Sequence, residues 1–161
     1  MMASDDPLRD GFVDRLAAST LSASDAPGGL STAAALAKIR ADDLGDVVPV
    51  GLLRLYRAVR AAEALGHSPA ARAAASDETM TRAVGPYAVT VTIAGTVAII
   101  LVALGGAPEP SRLEVLTQAG ERLAVPLEAA AGGESETLIP AAKDARSRRM
   151  LTDPTASFYL F

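Results

Sequence analysis

The sequence predicts a membrane-anchored chain in three pieces: a mainly α N-terminal region, one transmembrane helix over about 87–104, and a small C-terminal tail containing a β-hairpin. Three observations lead there. Residues 87–104, YAVTVTIAGTVAIILVAL, run for eighteen positions without a charge, Asn, Gln, His or Pro, and a spanning helix needs about 20 apolar residues to cross about 30 Å of hydrocarbon. The mean hydropathy is +0.26, although 34 of the 161 residues are alanine and only 4% are aromatic. Because a buried alanine withdraws little surface from water, that hydropathy needs a concentrated source. Upstream of the run, apolar side chains recur at helical spacing. The chain therefore divides into a helical domain of three to four helices over 1–85, a span over 86–105 and a β-containing tail over 106–161.

The first helix is expected at about 7–20, where Asp6 can cap, Pro7 suits the first turn, and Leu8, Phe12, Val13 and Leu16 share one stripe. Ser, Asp, Pro and two glycines then make 22–29 a loop. A second helix starts at Ser31 or Thr32, runs through the Ala-rich stretch to Arg40 and stops before Gly45. The third, from about Val50 to Leu65, is closed by Gly66; Leu52, Leu55, Tyr56, Val59 and Ala62 line one face, and Arg54, Arg57 and Arg60 lie on the opposite arc. A solvated face is the plain reading of that cationic back. The sharper one is contact with anionic lipid head groups or an acidic partner. The Ala-rich stretch 69–84 offers a fourth helix or two short ones, with Ser76-Asp77-Glu78 as a fresh start.

Gly85-Pro86 punctuates the chain before the uncharged run. Within the run, threonine hydroxyls can bond back to a carbonyl one turn earlier, and Tyr87 sits where an interfacial aromatic belongs. The alternative is a soluble α+β chain in which 87–104 is a buried hairpin: Val89 to Ile93 alternates strictly, and Ala94-Gly95 could turn the chain into Val97–Leu104. Eight consecutive apolar residues would then need cover on both faces of a sheet, with mostly alanine elsewhere to supply it. That mismatch favours the helix.

Past Ala107-Pro108-Glu109-Pro110, a stiff spacer, Arg112–Thr117 and Arg122–Leu127 flank Gln118-Ala119-Gly120-Glu121 as a hairpin, with Pro126 marking an edge strand. Residues 129–136 read as a flexible loop, Leu138-Ile139 as a short strand, and Lys143 to Arg149 as a cationic patch. Phe158, Tyr159 and Phe161 make the end of the sequence aromatic, and such a segment is expected to pack on the hairpin or on another protein.

The functional inventory is mostly subtractive. Fifteen Lys and Arg against 19 Asp and Glu give a net charge of −4, which disfavours a general nucleic-acid binder. The absence of cysteine removes thiolate nucleophiles, disulfides and Cys-ligated metals. His67 is the one histidine and, read as lying in an exposed turn, is neither a triad base nor half of a His pair. The carboxylate pairs Asp42-Asp43 and Glu134 with Glu136 read as solvating groups, since nothing nearby separates their roles. No catalytic, metal or cofactor-binding residue is therefore assigned, and no enzyme is expected. Residues 1–14 carry four aspartates and no cationic, apolar leader pattern, so the first segment is expected to stay in the compartment of synthesis. With two basic residues on either side of the span, charge does not orient it; the lack of a leader places the N-terminus in the cytoplasm and the anchor in a bacterial inner membrane. The expected function is a non-catalytic, single-pass accessory, scaffolding or assembly subunit of a larger membrane complex, with the bilayer and other subunits as partners and Arg54, Arg57, Arg60, Phe158, Tyr159 and Phe161 as candidate contacts. The alternative fold carries an alternative function, a soluble binding or interaction module.

Overall fold

The computed structural model describes residues 31–68, 74–75, 79–140 and 145–161, and the chain forms two compact units, Met1–Glu63 and Ala64–Phe161. The expected helix at 7–20 lies outside the described residues.

In the first unit, helix α1 (Thr32–Arg40) is capped by Ser31, whose Oγ accepts the Ala34 amide at 3.2 Å. Its buried face is Ala35, Leu36 and Ile39. Helix α2 (Val50–Glu63) buries Leu52, Leu53, Leu55, Tyr56 and Val59, close to the stripe expected from its spacing, and it buries Arg60 as well.

The second unit is a β-sandwich flanked by one short helix. Its strands are β1 (Gly66–Ser68), β2 (Ala74–Ala75), β3 (Thr79–Val84), β4 (Tyr87–Ala94), β5 (Val97–Ala103), β6 (Arg112–Leu116), β7 (Arg122–Pro126), β8 (Glu134–Ile139) and β9 (Ser157–Leu160), with helix α3 (Ala145–Leu151) between β8 and β9. They form a five-stranded sheet in the order β2-β3-β4-β5-β8 and a four-stranded sheet in the order β1-β9-β6-β7. Every pairing is antiparallel. The core between the sheets takes Met80, Val84, Tyr87, Val89, Val91, Ile93, Ala98, Ile100 and Val102 from the first sheet. From the second sheet and α3 it takes Leu113, Val115, Val125, Phe158, Leu160, Met150 and Leu151.

Residues 87–104 are thus two strands, β4 and β5, and the single-span reading is overturned. Among the described residues no helix is long and apolar enough to cross a membrane. The single-pass membrane placement with a cytoplasmic N-terminus falls with the helix on which it rested. The mainly α description is corrected in the same way: within 69–84 the described residues are strands β2 and β3 rather than a fourth helix, and 134–136 belong to β8 rather than to a loop.

The physical reason lies in how the apolar run is covered. Its two halves meet at Gly95-Thr96, where Gly95 has φ 59° and Thr96 keeps a negative φ, the pattern of the type II′ turn that suits hairpin twist. The β4–β5 register sets Val91 opposite Ile100 and Val89 opposite Val102 on one face. That face is covered by side chains of the tail, not by alanine. The opposite face of β5, formed by Val97, Ile99, Leu101 and Ala103, is only half-buried, so no complete second cover is needed. The strict alternation of Val89 to Ile93 continues through the uninterrupted apolar letters of β5, where the sequence alone cannot display it.

The sandwich is pinned where β1 passes the β3–β4 turn. A Cβ added to Gly66 would stand 2.4 Å from the Val84 carbonyl oxygen, so only glycine admits that approach. Nearby, the Tyr87 hydroxyl donates to the Pro108 carbonyl at 2.6 Å, and burial raises the Tyr87 pKa above its usual value of 10.0.

Candidate functional site

The five-stranded sheet has one face in the core and one facing away from it, and register builds the second face row by row. Thr79, Thr92, Ile99 and Leu138 stand side by side across β3, β4, β5 and β8; Thr81, Thr90, Leu101 and Glu136 form the next row, and Ala83, Ala88, Ala103 and Glu134 the third. On the β3–β4 side the threonines pair across strands, Oγ1 to Oγ1 at 3.0 Å for Thr81 with Thr90 and 3.4 Å for Thr79 with Thr92. On the β5–β8 side the surface becomes apolar, with Leu138 59% exposed. Glu134 and Glu136 border it on β8 and are exposed. Among the described residues neither carboxylate has an ion-pair partner. The face is therefore a half-exposed aliphatic stripe with a hydroxylated flank on one side and an acidic flank on the other.

The β8 edge itself is partly closed. Ala131 bridges Glu134 through main-chain hydrogen bonds in both directions. The Ser135 hydroxyl donates to the Glu128 carbonyl at 2.6 Å, and the Glu128 amide donates to Thr137 Oγ1 at 2.9 Å. The connection after β7 thus doubles back along β8 and shields its first half, a common way of blunting an edge strand.

The residues singled out from the sequence occupy different surroundings. Arg60 is 5% exposed: its Nε donates to the Tyr56 hydroxyl at 3.0 Å, its guanidinium lies 5.0 Å from the centre of the Tyr56 ring, and it pairs with Asp42 at 3.0 Å and Glu63 at 3.4 Å. Asp42 reaches it from a left-handed turn with φ 56°, a conformation Asp tolerates better than most side chains. Arg57 is half-buried and Arg54 is exposed, so of the three arginines only Arg54 is an exposed residue. Phe158 and Tyr159 are buried in β9, which lies between β1 and β6. Phe161 is partly buried beneath Arg112, whose guanidinium is 4.7 Å from the ring centre. The aromatic segment thus packs against the β6–β7 hairpin.

A second polar group escaped sequence reasoning. On the side of the four-stranded sheet away from the sandwich core, register aligns His67, Tyr159, Glu114 and Ala124. The His67 and Tyr159 rings stack at 6.3 Å, and Glu114 pairs with Arg122 at 3.8 Å. Glu114 is fully buried and Tyr159 nearly so, which leaves His67 and Ala124 as the exposed members of the row. A carboxylate held against a guanidinium in the interior organises structure and lacks the access that proton transfer to a substrate requires. Among the described residues no three His, Asp or Glu side chains gather closely enough to hold a metal ion.

Inside the sandwich, Arg82 is 2% exposed. It donates to the carbonyls of Ala156 at 2.7 Å and Asp153 at 3.0 Å and lies 3.8 Å over the Phe158 ring. Burial pulls its pKa down to about 10, with the Asp153 carboxylate working in the other direction. The residue ties β3 to the segment entering β9. Its place on the inward face of a strand was invisible in a stretch read as helix.

The chain matches no protein family model, no curated protein and no solved structure. The outer face of the five-stranded sheet offers aliphatic contact area, hydroxyl groups and two carboxylates.

Proposed function

We propose that the chain is a protein-interaction module of α+β architecture whose contact surface is the outer face of the five-stranded sheet. One observation carries the reading. Val97, Ile99, Leu101 and Leu138 stand together on a face turned away from the core, with Leu138 59% exposed. A contiguous apolar patch with polar borders is the usual composition of a protein contact. The candidate contacts on α2 and at the aromatic segment are supported less well, because Arg60, Phe158 and Tyr159 spend their interactions inside the molecule.

Site-specific photo-crosslinking in the native host tests this. A benzoylphenylalanine placed at Leu101 or Leu138 is expected to give one discrete adduct, identifiable by mass spectrometry and lost when Ile99→Lys is added. The same probe at Arg54 or Arg148, both exposed, is expected to give none. Equal adducts from all four positions, or none from the two on the outer face, refute the proposal.

A further inference from the structure

Resting on that interaction reading, we infer that the outer face of the five-stranded sheet takes an amphipathic helix with a basic flank, supplied by a partner protein. Three features select this occupant. The first is charge. Glu134 and Glu136 stand on the outer face beside Ala103 and Leu101; both are exposed, and no Lys or Arg of β3, β4, β5 or β8 shares that face, since Arg82 points into the core. Among the described residues neither carboxylate has an ion-pair partner that the partner's cations would displace.

The second feature is shape. The apolar stripe follows β5 and broadens toward β8 at Leu138, which is opposite Ile99. A seven-residue strand rises roughly 23 Å, the length of about four helical turns. A helix laid along it would meet the stripe with residues spaced i, i+3, i+4 and i+7 and turn one flank toward Glu134 and Glu136.

The third feature argues against the nearest rival. An extended peptide adding to the β8 edge would need free main-chain groups along that edge. The Ala131–Glu134 bridge and the two hydroxyl bonds to Glu128 already hold the preceding connection against its first half. The face is open and half of the edge is not.

The test uses three fluorescein-labelled 18-residue peptides: an amphipathic helix with a leucine stripe flanked by lysine, the same stripe flanked by glutamate, and a scrambled lysine peptide. Anisotropy titrations against the full chain are expected to rank the lysine-flanked helix about three- to tenfold tighter than the glutamate-flanked one, the range for two exposed ion pairs. The scrambled peptide is expected to bind weakly. The double variant E134K/E136K is expected to reverse the order of the two helices, and Leu101→Asp to abolish both. The three side chains lie outside the core, so the circular dichroism of these variants should match the parent. Equal affinity for the two flanks, or an order unchanged in E134K/E136K, overturns the inference. So does an extended lysine–valine peptide that competes fully with the helix. A concentration-dependent dimer in sedimentation that Leu101→Asp dissociates overturns it in favour of a second copy. Face-specific cross-links together with no peptide binding overturn the helix as partner while leaving the interaction surface standing, which separates the two failures.

Discussion

Ile100 and Leu101 are neighbours in the sequence and are separated by the fold. Ile100 is fully buried between the sheets, whereas Leu101 is half-exposed on the outer face. Ile100→Ala removes three carbons from the interior, about 2.4 kcal/mol at ~0.8 kcal/mol per methylene. The cavity left beside Val91 and Thr137, its neighbours across β4 and β8, raises the cost to about 3–4 kcal/mol. Leu101→Ala removes the same number of carbons from a side chain that already meets water, which lowers the expected cost to about 1 kcal/mol. The difference of roughly 2–3 kcal/mol corresponds to a gap of about 10 °C or more in midpoint temperature for a unit of this size. Urea unfolding followed by far-ultraviolet circular dichroism measures it, with unchanged slopes required so that the two units are not confounded. Extending the alanine scan over Ile99 to Val102 should give costs alternating with period two. Costs for Ile100 and Leu101 within 0.5 kcal/mol of each other, or a period near 3.6, would refute the hairpin reading of this segment.

Other substitutions probe other parts of the fold. Gly66→Ala places a methyl group 2.4 Å from the Val84 carbonyl oxygen, so β1 has to shift; a loss of about 2 kcal/mol or more in urea unfolding is expected, and a neutral result would show that the approach is not tight. Arg82→Lys keeps the charge and loses the planar fork that serves two carbonyls, with an expected cost of about 1–3 kcal/mol in the same assay. Tyr87 contributes to alkaline stability. Its folded pKa is raised above the unfolded value of 10.0, so its contribution is complete below pH 10 and is lost as pH rises through the folded pKa. Tyr87→Phe should therefore flatten that part of the stability profile, and an identical alkaline decline in the variant would remove Tyr87 as its cause.

Much of the local structure could be read from the residues. Gly120 and Pro126 marked the β6–β7 hairpin and its edge strand, and the spacing of Leu52, Leu55, Tyr56 and Val59 marked α2. What failed was the reading of elements whose partners are distant. β5 carries no alternation in its letters because its outer positions are aliphatic too; only register against Thr90, Thr92 and Glu136 shows which side meets water. Arg60 was expected on the arc opposite the apolar stripe, yet it follows Tyr56 by four residues and Leu53 by seven, which puts it at the border of the buried face, where Asp42, eighteen residues earlier, pairs with it. Within the Ala-rich stretch read as helix, nothing local showed that Arg82 faces inward from a strand, since the carbonyls it meets lie 71 and 74 residues later. The candidate surface was half legible: Glu134 and Glu136 were noted as a solvated pair, and their alignment beside Leu101 required the pairing of β8 with β5.

The strand order of the four-stranded sheet dictates when it can exist. β9, residues 157–160, lies between β1, residues 66–68, and β6. While the ribosome is extending the chain, β3, β4 and β5 can zip together locally as soon as each emerges. β1 has to wait for about ninety more residues before its neighbour is made. A nascent chain halted before residue 157 would hold one nearly finished sheet whose inner aliphatic face lacks Phe158 and Leu160, and a β6 strand with its β9 side open to pairing with other chains. Late closure of this kind belongs to slow-folding, long-range topologies, and it makes the interval just before the release of residues 157–160 the period in which this protein most depends on protection from aggregation.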